Sequence, residues 1–451
     1  MITRRSRLAL LIVPALALAA ACTSGGDNSS GSAASGDQAL KIGLLTQLSG
    51  PSKAAGTEAQ NGAKLAVDVI NGLNPSIPLP LASDAGLPNL GGAKVSLVVK
   101  DVTPAPEKDP AKAAVDPQQG SGEVQALAGA AVADLVSNQG VNALIGAYDP
   151  QVTEAASQRA ERFEVPFINA DSPATFLTDA GRDWFFRIGP TWRQAGQAFF
   201  SLARQQQPPI PTTKIAVLYA QDKAGQDVVT SVTELAKEGG LDKPNPVKTF
   251  GFKPDGSNAA AAYASVRAYN PDTLLLYSSP ASVQPLLQAV ATSGWKPKAA
   301  MSFSLGYVTA QTFDPAAAAV DGLMRSTSWS AEAAQRNPAA QAVTGLYQRR
   351  FNSPMTEAAA SAFTAVMTAA QAVNNAGTLD AQKVRSALLS LDIPGGQTIM
   401  PWAGIQFDET HQNTLAQALV EQYHNRAFSI VYPSDAAARG AKAVYPAPAS
   451  G

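Results

Sequence analysis

With 451 residues the chain is too long for one ordinary core and suits about two or three domains. Its 34 Lys+Arg balance 35 Asp+Glu to a net charge of −1 without any basic stripe, which argues against nucleic acid as a partner. Two histidines, His411 and His424, and one cysteine, Cys22, leave no material for a His/Cys metal site or an internal disulfide, and no cofactor is implied.

At the N-terminus Arg4, Arg5 and Arg7 precede an apolar run from Leu8 to Ala21, short for a membrane span but suited to a signal peptide. The run ends in Leu18-Ala19-Ala20-Ala21-Cys22, which resembles a bacterial lipoprotein signal. Residues 1–22 are therefore expected to be a signal peptide with Cys22 as the lipidated residue, so that the protein is exported and anchored to the outer face of the cytoplasmic membrane. An ordinary signal peptide cut nearby is the alternative. Residues 23–39 are rich in Gly and Ser and read as a flexible tether with a reach of about 20–25 Å.

A strand is expected at 41–48, then a helix whose Ala59, Gly62, Ala63, Ala66, Val67 and Ile70 fall on one face. Residues 71–92 and 103–122 read as long Pro- and Gly-rich loops around a strand at 93–99. A helix at 123–138 leads to strand 142–147, a helix through Val152, Ala155, Ala156, Arg159 and Phe163, strand 165–169, and a strand-like segment at 183–190. A second αβ series then runs through helix 194–206, strand 214–219, helix 225–239, strand 247–252, helix 259–268, strand 273–277, helix 282–293 and strand 299–303. A strand near 321–328, helices at 339–351, 356–377 and 381–391, and a terminal strand group from Ile405 to Tyr432 follow; residues 435–451 read as a frayed tail. The repeated rhythm predicts an α/β protein with two doubly wound parallel-sheet lobes.

Four of these strands leave through a small polar residue and a proline: Ser49-Gly50-Pro51, Tyr148-Asp149-Pro150, Asp171-Ser172-Pro173 and Ser278-Ser279-Pro280. Asp149 and Ser172 suit an N-cap, and Pro150 the first helical position. In an open parallel sheet ligands bind beyond the carboxyl ends of the strands, near helix N-termini. The four turns are therefore read as walls of a ligand cleft, although an Asp/Ser-Pro pair is also simply a good helix start.

The segments KIGLLTQLSGPSKAAGTEAQNGAKLAVDVIN, VNALIGAYDPQVTEAAS, VPFINADSPATFLT, WFFRIGPT, KIAVLYAQDKAGQDV, PDTLLLYSSPASVQPLLQAV and IQFDE, in that order, resemble the type I periplasmic binding proteins of the branched-chain amino acid (Leu/Ile/Val) branch of ABC-transporter solute receptors. The resemblance implies two lobes joined by a three-segment hinge: 40–189 plus 326–419 as lobe 1, and 190–325 plus 420–434 as lobe 2. It implies crossings near 187–190, 325–328 and 418–422, and closure of the hinge on a small molecule. It also implies a permease partner, membrane attachment through the lipid, and action as a monomer. Carried over position by position, the family's ligand contacts fall on Ala55, Pro150, Gln151, Asp171 to Pro173, Ala224, Pro280 and Ser304; taken with the strand-end turns, the candidate ligand-binding residues are Ser49, Ala55, Tyr148, Asp149, Gln151, Asp171, Ser172, Ala224, Ser279 and Ser304. The family's aromatic walls are replaced by Ala55, Ala224 and Pro280, and its ammonium-binding acid by Ser304. Tyr148, Phe303 and Tyr307 are candidates for new walls. Asp149 and Asp171 stand where the family holds a carboxylate, so a cationic, amide or polyhydroxylated ligand fits better than an aliphatic amino acid.

An enzyme reading finds no nucleophile with a base, no G-x-S-x-G elbow and no Walker loop. The expected function is capture of a small polar molecule (an amino acid, amide or related metabolite) for an ABC importer. A sensor of the same fold that is not coupled to transport is the second reading.

Overall fold

The computed structural model describes residues 39–103, 120–239, 247–303, 313 and 316–447. The expected signal peptide, most of the tether, the Cys22 lipidation site, Ser304, Tyr307 and most of the second long loop lie outside these residues.

Short apolar runs form the strands, as expected where both faces are covered by helices. The first sheet contains β1 (Leu40–Thr46), β2 (Val95–Asp101), β3 (Ala143–Gly146), β4 (Phe167–Asn169) and β5 (Phe185–Arg187), all parallel, in the order β2-β1-β3-β4-β5. The second is built from β6 (Ile215–Ala220), β7 (Val247–Phe252), β8 (Thr273–Tyr277), β9 (Ala299–Ser302) and β10 (Met324–Thr327). A two-stranded pair, β11 (Asp392–Pro394) with β12 (Gly404–Gln406), follows in sequence. Strands β13 (Leu419–His424) and β14 (Ala427–Tyr432) then return to the second sheet, whose order is β14-β13-β10-β9-β8-β6-β7. Strands β6 to β10 are mutually parallel; β13 and β14 are antiparallel additions.

The five parallel strands of each sheet have the same order, with the second strand on one side of the first and the next three on the other. That order reverses beside β1 in one sheet and beside β6 in the other, which leaves a crevice at the carboxyl ends. The chain moves between sheets after β5, after β10 and before β13.

Arg187, at the end of β5, is fully buried at the first of these passages. Its Nε donates to Gln412 Oε1 at 2.6 Å and its Nη2 to Thr178 Oγ1 at 2.7 Å, while Nη1 donates to the Ala174 carbonyl. Gln412 Nε2 in turn donates to the Gly189 carbonyl at 3.0 Å, and Asn413 Nδ2 to the Ile188 carbonyl at 3.0 Å. The segment approaching the third passage is thus bonded to the first. Burial draws the Arg187 guanidinium down to about 10, still charged at neutral pH.

Helices Lys53–Asn71 and Glu357–Ala376 pack side by side on the first sheet. Gly62 lets them close: a β-carbon there would overlap the Ala359 carbonyl.

Residues 71–92 form the long loop expected, and it does not stand off the body: Ile77, Leu79, Leu81, Ala82 and Leu87 are buried in the first lobe's core. Asn89 also donates twice to Asn374, from its backbone N–H to Oδ1 at 3.0 Å and from Nδ2 to the carbonyl at 2.9 Å. One expectation needs correction: the tail is not frayed through Ala447. Val444 N donates to Gln422 Oε1 at 2.6 Å, Gln206 Nε2 donates to the Ala443 carbonyl at 2.7 Å, and Ala447 N donates to the Lys298 carbonyl at 2.8 Å. Small side chains at Ala437 and Ala443 let the segment lie flat, and both are buried.

Candidate functional site

A cavity of about 80 Å³ lies where the carboxyl ends of the two sheets meet. Six strands deliver residues to it. Tyr148, Asp149 and Pro150 follow β3; Ala170, Asp171 and Pro173 follow β4; Pro190, Thr191 and Trp192 follow β5. Tyr277, Ser278 and Pro280 come from the end of β8, Phe303 follows β9, and Ser326, Thr327 and Ser328 close β10. Ala195, Glu357 and Ala418 complete the lining.

The local grammar of the turns is only partly the one expected. Asp149 caps helix Pro150–Phe163 as predicted, its Oδ1 accepting from Gln151 N at 2.9 Å and Val152 N at 3.1 Å. Burial still pushes the Asp149 carboxyl above the usual carboxylate range, against the pull of those two bonds. Ser172 does not cap a helix. The next helix is the single turn Phe176–Asp179, without a side-chain cap. Ser172 N instead donates to Asn169 Oδ1 at 3.1 Å, so the Asn169 side chain closes this turn and leaves the buried Ser172 hydroxyl without a partner. Asn169 Nδ2 also donates to the Gly146 carbonyl at 2.8 Å. One asparagine therefore holds the Tyr148–Asp149 turn and the Asp171 turn together.

Tyr148, Asp149 and Asp171 are thus brought to one cavity, and so is the candidate wall Phe303. The other predicted positions that the structure describes are not in its lining. Ser49 is exposed, its N–H donating to Thr103 Oγ1 at 3.2 Å, which ties the β1 turn to the end of β2. Ala55 is half-buried on the following helix. Gln151 points along a second, larger cavity of about 770 Å³ between helices Pro150–Phe163 and Lys223–Glu238, lined also by Glu154, Asp222, Lys223, Gln226 and Asp227. Ala224 is buried in the second lobe's core. Ser279 spends its hydroxyl on the Pro254 carbonyl at 2.6 Å and on Ser282. Ser304 lies outside the described residues.

Sequence reasoning missed Trp192, Tyr277, the Ser326–Thr327–Ser328 run and Glu357. The capping box of Thr191 and Gln194 marks the helix start beside Trp192. Thr356 caps helix Glu357–Ala376, which sets Glu357 in its first turn. Glu357 Oε1 accepts from the backbone N–H and the hydroxyl of Ser328, the latter at 2.8 Å. Its Oε2 is shut off from solvent and has no hydrogen-bond partner. Burial raises the Glu357 carboxyl above its usual range. Trp192 meets Tyr277 edge to face at 5.3 Å, and its buried Nε1–H also lacks an acceptor. Among the described residues no group of His, Cys, Asp and Glu could hold a metal ion.

The periplasmic binding protein family matches residues 121–442. The chain belongs to that family. A Leu/Ile/Val-binding protein homolog 7 from Brucella abortus is 25% identical over 406 residues, covering 88% of this chain and 92% of the relative. Among solved structures, a leucine binding protein LivK from Thermotoga maritima superposes with a TM-score of 0.68 at 18% identity, over 87% of this chain and 97% of the other. The branched-chain amino acid transporter substrate binding protein LivJ from Streptococcus pneumoniae, in complex with isoleucine, gives 0.65 at 19% identity, over 91% and 100%. The fold is that of a type I periplasmic binding protein, and the family is one of extracytoplasmic solute-binding proteins.

Proposed function

We propose that the protein captures a small polar molecule (an amino acid, amide or related metabolite) between its two lobes outside the cytoplasm and delivers it to the permease of an ABC importer. The observation that carries this reading is the cavity itself: six strand ends from two sheets, plus the passages between the sheets, supply one lining. The relatives are named for binding leucine, isoleucine and valine, which supports a small-molecule cargo. Tyr148, Asp149 and Asp171 act as ligand contacts in this reading, and Cys22 carries the lipid that holds the body at the membrane.

Native mass spectrometry of the purified protein tests it by revealing a co-purifying small molecule. Asp171→Ala should weaken binding of that molecule by more than about tenfold, or about 1.4 kcal/mol. Unchanged affinity removes Asp171 from the site, and a protein that neither carries nor is stabilised by any metabolite contradicts solute capture.

A further inference from the structure

The cavity's charge is one-sided. Among the described residues Asp149, Asp171 and Glu357 line it, and no described lining residue is Lys, Arg or His. Arg325, beside this lining on β10, is not part of it; its guanidinium bonds Glu421 on β13 at 2.7 Å and lies 3.6 Å over the Phe428 ring. Four aromatic side chains, Tyr148, Trp192, Tyr277 and Phe303, share the same small volume.

We propose that this cavity selects a small organic cation, an ammonium group seated against Glu357 Oε2 and the surrounding rings, on a ligand with no carboxylate to cancel its charge. The inference rests on the reading that this cavity is the solute site, and it narrows the class of solute.

Three arguments converge. A solvent-inaccessible carboxylate oxygen without a hydrogen-bond partner among the described residues is costly, and a neighbouring positive charge, quaternary or protonated, offsets most of that cost by direct attraction. Aromatic faces attract cations through the ring quadrupole, more strongly where water is excluded. A ligand carboxylate in the same volume would meet three acids and no base, so amino acids and organic acids are disfavoured by like charge. Burial lifts the Asp149 and Glu357 carboxyls, and at Glu357 it outweighs the Ser328 bonds and the attraction of Arg325.

The test uses full-length protein with four probes in calorimetry and thermal melts: choline, its uncharged isostere with carbon in place of nitrogen, isoleucine and benzoate. Choline should bind at least about tenfold more tightly than the isostere, and more tightly than isoleucine or benzoate. Glu357→Gln should weaken choline by about tenfold or more. Tyr277→Leu gives an independent reading, because it keeps the carboxylates and removes one ring; choline should weaken several-fold. Circular dichroism melts confirm that each variant folds. Preference for isoleucine, benzoate or the isostere overturns the cation inference while leaving solute capture intact, as does a folded Glu357→Gln protein that binds choline unchanged. If none of the four probes binds, the cation inference fails; whether solute capture fails with it is read separately, from whether any metabolite co-purifies.

Discussion

Asp222 and Asp227 sit at the start of helix Lys223–Glu238, facing the first lobe. Asp222 caps the helix through Gly225 N at 2.7 Å, and Asp227 Oδ2 accepts from Thr175 N, across the gap between lobes, at 2.7 Å. Burial lifts both carboxyls to about 6; at Asp227 it outweighs the Thr175 bond and the attraction of Arg187, with Asp179 adding a smaller upward push. An unfolded aspartate titrates near about 4. Between about pH 4 and 6 the folded protein therefore holds protons that the unfolded chain has released. The cost of ionising Asp227 falls on the folded state, in full above about pH 6 and vanishing below about pH 4. Asp227→Asn removes the charge and keeps an acceptor for Thr175. Its urea midpoint should exceed that of the parent at pH 7.5, and the two should converge near about pH 4. A difference that is the same at both pH values would refute the assignment. At this scale the sequence was legible where one residue does a local job, as Asp149 does at its cap. It was not legible where a side chain acts on a distant segment. Nothing near Glu357 in the chain announces a bond to Ser328, and Asn169 outcompetes Ser172 only once β3 and β4 lie side by side.

Elements were easier to read than their junctions, for a physical reason. A doubly covered strand such as β8, TLLLY, is apolar throughout and stands out against its flanks. The helix at 53–71 declares its buried face by a 3.6-residue period: of the residues read on that face Ala59, Gly62, Ala63, Ala66 and Ile70 are buried and Val67 is half-buried. The packing of the loop at 71–92 hid because it buries its apolar residues without any period, and the three-residue strands β11 and β12 are too short to leave one. Helix Glu357–Ala376 is buried almost all round, with small residues on the face turned to helix Lys53–Asn71. Close approach of two such backbones depends on the absence of a side chain at the contact. Gly62→Ala should accordingly destabilise the fold by about 1–3 kcal/mol, the range for overpacking a well-filled contact, despite alanine's better helix propensity. Chemical denaturation measures this. Stabilisation by the alanine would mean that the helices separate freely and that the contact does not define the lobe.

On the scale of the whole molecule, the two lobes also touch one another directly, between helices Pro150–Phe163 and Lys223–Glu238. There Lys223 Nζ bonds both carboxylate oxygens of Glu154 at 2.7 Å and lies 4.1 Å over the Phe176 ring, beside the Asp227–Thr175 bond. Glu154 and Phe176 belong to the first lobe and Lys223 to the second, so these contacts link the lobes directly. The buried Arg187–Gln412 pair ties the first passage to the segment that leads to the third. Exposed ion pairs contribute little to global stability, about 0–1 kcal/mol, because water solvates the charges in either state. Here that small term acts on the balance between open and closed forms instead. A ligand held by both lobes binds with an apparent affinity reduced by the fraction of protein unable to close. Lys223→Ala should therefore weaken ligand binding by about two- to five-fold while moving the urea midpoint little. The loss should arise mainly in faster ligand release, and added salt should weaken the parent toward the variant, since screening removes the same interaction. Isothermal titration at low and high ionic strength makes the comparison. Equal affinity of parent and variant at low salt would show that the Lys223–Glu154 contact does not bear on closure, and that the grip on the ligand is set inside the cavity alone.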